Sequence, residues 1–281
     1  MAVANTTLPP PLPARLPPVA PIDLRLMAQV PSLSWRARYL MDGFLNGLHR
    51  SPSKGSSVEF AEYRAYQPGD DLRRIDWRLY GRTDRLHLKQ YEEDTQVRAH
   101  LVLDVSASMS YAGRAGLLTK LDYARTILAA LAFLMQREND ATGLAIIGSD
   151  LEDFAKARCS KAHVLNLIGK LDRVPRGSTT QLGANLVALA RLLPRRSLVI
   201  VASDFYEEEE ALVAAVRRLR HDRHEVVGFQ VLDPVEVDFD AASSGTFVDL
   251  ESGERLRLNS EAVRAGYLKR FGAFLTRTEE I

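Results

Sequence analysis

The stretch that decides the fold reads Leu101-Val102-Leu103-Asp104-Val105-Ser106-Ala107-Ser108-Met109-Ser110. An apolar run ends there on an aspartate, and serines follow at alternate positions. An apolar run bounded this tightly predicts a buried strand of a parallel sheet that is covered on both faces. The polar residues then fall just past the carboxyl end of the strand, where open α/β sheets bind ligands. Asp104, Ser106 and Ser108 offer three hard oxygens, which suit a magnesium-like cation that keeps part of its water shell.

A second stretch of the same form occupies residues 198–204 and ends on Asp204. If both strands are parallel in one sheet, Asp104 and Asp204 share an edge. A loop of small residues at 177–183 lies between them and could bring the hydroxyl of Thr180 to the same place, or that of Thr179 if the loop is shifted by one residue. Each piece alone is also typical of turn and helix-cap chemistry. Their combination favours a ligand site.

Helical periodicity surrounds these two strands. Residues 120–137 carry apolar side chains on one broad face, which predicts a helix. Further helices are predicted at 164–171, 184–193 and 207–220, buried strands at 143–148 and 226–232, a hairpin near the sheet edge from 247–250 and 255–258, and a closing helix from Ser260. This alternation predicts an α/β fold with a doubly wound, mostly parallel sheet, in which the strands ending at Asp104 and Asp204 are neighbours at the switch point.

The N-terminal part of the chain has a different composition. Residues 1–21 are rich in proline, which predicts an extended, disordered tail because proline lacks the backbone donor of helices and sheets. An amphipathic helix is predicted at 33–48, and short strands at 58–63 and 86–91. The predicted domains are therefore the tail at 1–21, an N-terminal helix with a small β-containing segment at 22–96, and an α/β domain with a C-terminal helix at 97–281.

Composition excludes several classes of protein. The formal net charge of 281 residues is +1, which disfavours bulk attraction to nucleic acid or to an anionic membrane. No run approaches the ~18 apolar residues of a spanning helix, and the N-terminus lacks the pattern of a signal peptide. We therefore expect a cytoplasmic protein without a membrane span. The single cysteine, Cys159, is expected to be a small apolar filler.

Catalytic motifs are missing from the loops that follow the strands. Neither a Gly-x-x-x-x-Gly-Lys-Ser/Thr nor a Gly-x-Gly-x-x-Gly string occurs. A phosphatase of the haloacid dehalogenase type needs a second aspartate two places after Asp104, where Ser106 stands. A non-enzymatic role is therefore expected. The alternative is a magnesium-dependent phosphoryl hydrolase with Asp104 as the nucleophile.

The motifs resemble those of a known family. Asp104-x-Ser106-x-Ser108, with the later Thr180 and Asp204, resembles the metal-ion-dependent adhesion site of von Willebrand factor A domains. Upstream, Lys54-Gly55-Ser56-Ser57-Val58-Glu59-Phe60, Tyr66-Gln67-Pro68-Gly69-Asp70-Asp71 and Arg74-Ile75-Asp76-Trp77-Arg78 resemble the bacterial family known as domain of unknown function 58. Members of that family carry an A-type domain behind such a segment, and both blocks occur here in that order.

The resemblance implies a metal-dependent protein-binding module with a von Willebrand factor A-like fold. It assigns Asp104 as the main anionic anchor, Ser106 and Ser108 as hydroxyl ligands, Thr180 as a ligand directly or through water, and Asp204 as a ligand through water. The ion would be Mg²⁺ or another divalent cation such as Mn²⁺. An acidic side chain of a protein partner would complete its coordination. The resemblance also implies work with a MoxR-type AAA+ ATPase in chaperone-like maturation or assembly of proteins.

Overall fold

Helices and strands alternate along the described part of the chain, which is residues 24–48, 60–67, 75–91, 96–114, 116–175, 177, 181–239, 244–248, 250 and 255–281 of a computed structural model. The predicted tail at 1–21 lies outside these residues. In chain order the elements are α1 (Leu24–Gln29), α2 (Leu33–Leu48), β1 (Phe60–Ala65), α3 (Trp77–Thr83), β2 (His87–Tyr91), β3 (Arg98–Asp104), α4 (Lys120–Arg137), β4 (Ala141–Ile147), β5 (Leu151–Arg158), α5 (Lys161–Arg173), α6 (Leu182–Ala190), β6 (Leu198–Ser203), α7 (Glu209–His221), β7 (Glu225–Gln230), α8 (Pro234–Asp238), β8 (Ser244–Val248), β9 (Arg255–Asn259) and α9 (Ser260–Glu280).

The chain divides into two compact units, residues 49–96 and the remainder. The smaller unit contains an antiparallel pair of strands, β1 and β2, in line with the two short strands predicted there. Its helix α3 is capped by Asp76, whose carboxylate accepts hydrogen bonds from the backbone N–H groups of Arg78 and Leu79. Helices α1 and α2 group with residues 97–281 in the larger unit, where α2 packs against α4.

A five-stranded sheet with the strand order β5-β4-β3-β6-β7 forms the centre of the larger unit. The pairs β3–β4, β3–β6 and β6–β7 are parallel, and β5 pairs antiparallel with β4. The doubly wound, mostly parallel α/β sheet predicted from the sequence is therefore confirmed. From β3 the chain runs outward to β4 and β5 and then returns to the other side of β3. The switch point lies between β3 and β6, as predicted.

Helices cover both faces of this sheet. Leu101 and Leu103 of β3 pack into a core shared with α2, α4 and α5, whereas Val102 packs into a second core shared with α6 and α7. Alternate side chains of a strand point to opposite faces. A strand buried on both faces therefore has a continuous apolar run, as Leu101-Val102-Leu103 does.

The predicted hairpin is present as a separate two-stranded sheet of β8 and β9. Two other expectations are wrong. The predicted strand at 226–232 was expected to be buried, but β7 is an edge strand and Val227 is 42% exposed. Cys159 is exposed, and its thiol donates to the backbone carbonyl of Asn139, so it is not an apolar filler. None of the described helices combines the length and apolar character needed to cross a membrane.

Gly143 in β4 sits where any side chain would collide with its neighbours. A Cβ atom there would lie 2.7 Å from the carbonyl oxygen of Ala155 in β5 and 2.7 Å from Cδ2 of His100 in β3. We expect Gly143→Ala to lower the free energy of unfolding by about 1–3 kcal/mol, because an overpacked core must shift backbone atoms. Urea denaturation monitored by circular dichroism measures this change.

Gly169 provides the matched control for that substitution. It lies in α5, and a Cβ atom there would meet nothing within 4 Å. Gly169→Ala should leave stability unchanged or raise it by up to ~1 kcal/mol, since alanine is the better helix former. Equal destabilisation by the two substitutions would show that the close approach at Gly143 is not the cause.

Candidate metal centre

Two neighbouring parallel strands deliver the predicted carboxylates to one edge of the sheet. Asp104 is the last residue of β3, and Asp204 directly follows β6. Leu103 of β3 pairs with Ala202 of β6, so the two strand ends lie side by side. Both aspartates are 1% exposed. The structure thus brings together the two acidic residues that the sequence singled out.

Asp104 is held by hydrogen bonds from both strand ends. Its Oδ1 accepts from the backbone N–H of Ser106 at 2.9 Å, and its Oδ2 accepts from the hydroxyl of Ser203 at 2.6 Å. The oxygen of Ser203 also accepts from the backbone N–H of Phe205 at 2.8 Å. Phe205 has a left-handed backbone with φ of 59°, which turns the chain sharply after Asp204. Asp104 therefore fixes the loop after each strand.

The hydroxyls of Ser106 and Ser108 converge beside Asp104. Their Oγ atoms lie 3.0 Å apart and share one hydrogen bond. Ser106 is buried, and Ser108 begins a short 3-10 helix, Ser108–Ser110. Two hydroxyl oxygens at this separation can serve as neighbouring ligands of a single cation.

The first residue of the predicted loop at 177–183, Gly177, lies close to the loop that follows β3. Gly177 has φ of +69°, and a Cβ atom there would lie 3.4 Å from Cα of Ala107 and 3.5 Å from Oγ of Ser110. Ser110 Oγ is buried and makes no hydrogen bond to the described residues. Thr180 and its alternative Thr179 lie outside the described residues.

Asp204 forms an ion pair that the sequence did not reveal. Its Oδ2 accepts from Nζ of Lys120 at 2.8 Å, and its Oδ1 accepts from the backbone N–H of Tyr206 at 3.2 Å. Lys120 is 3% exposed, and its Nζ also donates to Oε1 of Glu236 at 2.7 Å. The ammonium lies 4.8 Å from the centre of the Tyr206 ring. A buried cation of the protein therefore stands between two carboxylates at the candidate centre.

Glu236 is oriented by a capping box at the start of α8. Its Oε2 accepts from the backbone N–H of Asp233 at 2.8 Å, while the Asp233 carboxylate accepts from Val235 N–H. The other oxygen of Asp233 accepts from the backbone N–H of Gly113 at 2.9 Å. Tyr267 of α9 donates its hydroxyl proton to the Glu236 carbonyl at 2.9 Å. The acidic residue three places after Asp233, with proline between them, is a capping-box signal that could have located Glu236 in the sequence.

The sequence of this chain matches a known protein family. The model described as "Protein of unknown function DUF58" matches residues 62–273. The chain belongs to this family. Uncharacterized proteins of Mycobacterium bovis and Mycobacterium tuberculosis are each 32% identical to this DUF58 protein over 236 residues, which is 82% of this chain and 73% of the relative.

Three solved structures resemble part of this chain. An aerotolerance-related membrane protein from Bacteroides fragilis is 21% identical with a TM-score of 0.42, over 62% of this chain and 87% of that chain. The protein BatB from Bacteroides thetaiotaomicron is 16% identical with a TM-score of 0.41, over 63% of this chain and 87% of that chain. The VWA domain of SpRpn10 is 12% identical with a TM-score of 0.33, over 48% of this chain and 88% of that chain. At these low identities, the likeness of the three structures to the DUF58 protein is one of fold only.

Burial makes the ionised form of Asp104 unfavourable. It raises the pKa of Asp104 to about 6, and the nearby charge of Asp204 acts in the same direction, against the hydrogen bonds from Ser203 and Ser106. Among the described residues, Lys120 pairs with Asp204 and Glu236, and no ion pair forms with Asp104. A positive charge beside Asp104 would therefore be favourable.

The side chains at the centre fit a hard divalent cation. Within the described parts of the chain, no group of three or more His, Cys, Asp or Glu side chains is arranged to hold a metal ion. The oxygens available are those of two carboxylates and two converging hydroxyls. Mg²⁺ accepts such ligands because it prefers oxygen and keeps several waters. In this DUF58 protein Asp104, Ser106 and Ser108 are the residues that would hold such an ion.

The raised pKa of Asp104 predicts a pH dependence of stability in chelator. The folded protein holds the proton of Asp104 more tightly than the unfolded chain, so stability is lost as the pH rises between about 4 and 6. Relative to Asp104→Asn, which cannot ionise, the wild-type free energy of unfolding should fall by about 3 kcal/mol across that interval. Urea denaturation of both proteins at several pH values measures the difference.

Comparison of the wild type with Asp104→Asn is necessary because His100 titrates in the same pH interval. Burial, aided by the charge of His224, lowers the pKa of His100 to about 4, so its contribution to stability is lost as the pH falls below the ordinary histidine value. The two groups act in opposite directions over the same interval, and the wild-type curve alone would hide both. Parallel pH dependence in the wild type and Asp104→Asn would contradict the assignment to Asp104.

Proposed function

We propose that this DUF58 protein is a non-enzymatic, divalent-metal-dependent protein-binding module. The observation that supports the proposal best is the convergence of the Ser106 and Ser108 hydroxyls, 3.0 Å apart, beside the buried carboxylate of Asp104. They lie at the switch point of a doubly wound sheet, which is where such folds bind ligands. The arrangement supplies hard oxygens from the ends of two neighbouring strands.

Each residue has a distinct task in the proposed centre. Asp104 provides the principal negative charge and holds both loops through Ser106 N–H and the Ser203 hydroxyl. Ser106 and Ser108 are neutral ligands, Thr180 is proposed as a further one, and Asp204 acts through water. When bound, Mg²⁺ or Mn²⁺ supplies an open coordination position for an anionic ligand. Few protein charges contact the ion, so it retains a strong attraction for a carboxylate.

An acidic side chain of a protein partner is the proposed occupant of that position. The resemblance of the motifs to the metal-ion-dependent adhesion site supports this chemistry. Family membership further supports a MoxR-type AAA+ ATPase as the working partner, in chaperone-like protein maturation or complex assembly in the cytoplasm. Co-purification of this protein with the MoxR-type ATPase, in Mg²⁺ and in chelator, tests the proposed partnership.

Binding is favoured over phosphoryl transfer because an acid–base partner for Asp104 is missing from its loop. Ser106 stands two places after Asp104, where a phosphatase of the haloacid dehalogenase type needs its second aspartate. We expect that beryllium fluoride with Mg²⁺ forms no aspartyl-phosphate mimic on Asp104. Detection of that adduct, together with hydrolysis that is lost in Asp104→Asn, would support the enzyme instead.

The metal is expected to bind weakly to the protein alone. Two carboxylates and neutral hydroxyls leave much of the coordination shell to water, and Mg²⁺ releases its water reluctantly. Calorimetric titration of the full chain with MgCl₂ should show weak binding that disappears in Asp104→Ala. Tight binding that persists in Asp104→Ala would place the ion elsewhere.

Metal and partner should each raise the affinity of the protein for the other by the same factor, because the two equilibria are linked. Asp104→Ala should abolish the difference between partner affinity in Mg²⁺ and in chelator, and Asp204→Ala should reduce it less, since its contact runs through water. Affinity for the MoxR-type ATPase is the measured quantity, and circular dichroism checks folding.

Asp140→Ala is the matched control for these two substitutions. It removes a carboxylate that accepts a hydrogen bond from the backbone N–H of Val97. Both residues lie at the amino ends of strands β3 and β4, whereas the candidate centre lies at the carboxyl ends. Partner affinity in this variant should depend on Mg²⁺ as in the wild type. If partner affinity is the same in Mg²⁺ and in chelator, and Asp104→Ala binds normally, the proposed function is wrong.

A further inference from the structure

We infer that Lys120 is a resident counter-cation of the candidate metal centre, and that its charge sets how weakly the centre holds a divalent ion. The inference rests on the proposed function, because it concerns the regulation of the same site. It assigns a positioning role to a lysine that neither the motif nor the family resemblance includes. The ammonium group of Lys120, together with the loops that follow β3 and β6, would then determine when a divalent ion occupies the centre.

The position of Lys120 is not explained by the stability of its helix. It is the first residue of α4, directly after the cap at Thr119, whose hydroxyl accepts from the N–H of Asp122. A cation in the first turn opposes the positive end of the helix dipole, which favours acidic residues there. A lysine that is 3% exposed also pays for the loss of its water shell unless it is paired. Contacts with carboxylates therefore account for its placement.

The two ion pairs of Lys120 join the metal centre to α8. Its Nζ lies 2.8 Å from Oδ2 of Asp204 and 2.7 Å from Oε1 of Glu236. Asp204 is a proposed ligand through water, whereas Glu236 is oriented by its capping box and stands outside the motif. One ammonium thus shares its charge between a carboxylate of the centre and a carboxylate behind it.

The sum of these charges leaves the centre only partly compensated. Asp104, Asp204 and Glu236 carry three negative charges when ionised, and Lys120 supplies one positive charge. A divalent ion that approaches Asp104 is attracted by the carboxylates and repelled by the ammonium. A water molecule of the ion that binds Asp204 would also have to share this carboxylate with the ammonium. Lys120 therefore lowers metal affinity without closing the centre.

Because Lys120 cancels part of the negative charge at the centre, the centre would hold the ion tightly only when a partner supplies a further carboxylate. A carboxylate from a partner adds the negative charge that Lys120 has cancelled, so the ion is held more tightly once the partner is bound. Without Lys120, the negative charge of the three carboxylates would attract the ion without compensation, and the partner would contribute a smaller fraction of the binding energy. The lysine thus couples metal occupancy to the acidic partner.

A purely structural role for Lys120 makes a different prediction. If the lysine only ties α4 to α8, then removing either Lys120 or Glu236 should disturb the centre and weaken metal binding in both cases. If the charge is what matters, the two removals act in opposite directions. Lys120→Met deletes a positive charge, whereas Glu236→Gln deletes a negative one and leaves the ammonium less compensated. The two substitutions nearly preserve side-chain length.

The experiment measures Mn²⁺ affinity of the full chain by calorimetry and by the paramagnetic resonance signal of free Mn²⁺. We expect Lys120→Met to bind Mn²⁺ on the order of tenfold more tightly than the wild type, and Glu236→Gln to bind more weakly. The double variant should return towards wild-type affinity. Arg218→Met is the control, since it removes the same charge from an ion pair with Asp222 in the last turn of α7.

Folding of each variant is checked by circular dichroism in chelator and in Mn²⁺. Lys120→Met leaves two carboxylates close together, so it should be less stable in chelator and regain stability as Mn²⁺ is added. If Lys120→Met does not fold even in Mn²⁺, the inference stands or falls on a comparison of Glu236→Gln with Glu236→Asp, which keeps the negative charge but shortens the side chain that reaches Lys120. Weaker Mn²⁺ binding in Glu236→Gln than in Glu236→Asp supports the inference, and equal or weaker binding in Glu236→Asp overturns it.

The outcomes separate the inference from the proposed function. If the wild type binds Mn²⁺ in a manner that requires Asp104, and Lys120→Met binds equally or more weakly, the inference about Lys120 is wrong and the metal-dependent module survives. If neither the wild type nor Lys120→Met binds Mn²⁺ through Asp104, the proposed function fails as well. Tighter binding in Lys120→Met that is lost on adding Asp104→Ala supports both.

Discussion

A 2.6 Å hydrogen bond from the Ser203 hydroxyl to Asp104 joins the ends of two neighbouring parallel strands, β3 and β6. The candidate centre depends on this pairing, because the carboxyl ends of parallel strands in one sheet open onto the same edge. Apolar side chains on both faces hold the two strands in register, so the polar residues just beyond them have fixed positions. A loop-built site without these strands would have to order its ligands at a much larger cost in conformational entropy.

The strands that could be predicted from the sequence are those whose continuous apolar runs indicate burial on both faces of the sheet. The run that ends on Asp104 and the run that ends on Asp204 are continuous because helices cover them above and below. Strand β5 was not predicted because its side chains are mostly half-buried or exposed, so its pattern lacks a continuous apolar run. Strand β7 was predicted as buried because an apolar run does not show whether a further strand pairs with it. Edge position is a property of the sheet and is absent from the local sequence.

The candidate site was predictable only where its residues follow strands. Asp104 and Asp204 belong to stretches that predict strand ends, and the serines follow within one loop. Lys120 and Glu236 are 116 residues apart and meet only after α4 and α8 have packed. A lysine that begins a helix has the same local pattern whether it faces solvent or a buried carboxylate. Tertiary packing, rather than propensity, decides between the two, and that information is not present in any short window.

The division of the chain into two units has a consequence for its biosynthesis. Helix α2 is made before the smaller unit, yet its buried residues Leu33 and Ala37 share a core with α4, which begins at Lys120. At ~5–20 residues per second, the ribosome needs several seconds to make the intervening stretch. During that time the apolar face of α2 has no partner from the sheet unit. The nascent chain must therefore pass through a state with exposed apolar surface, in which a chaperone or the ribosome exit region can protect the helix until α4 emerges.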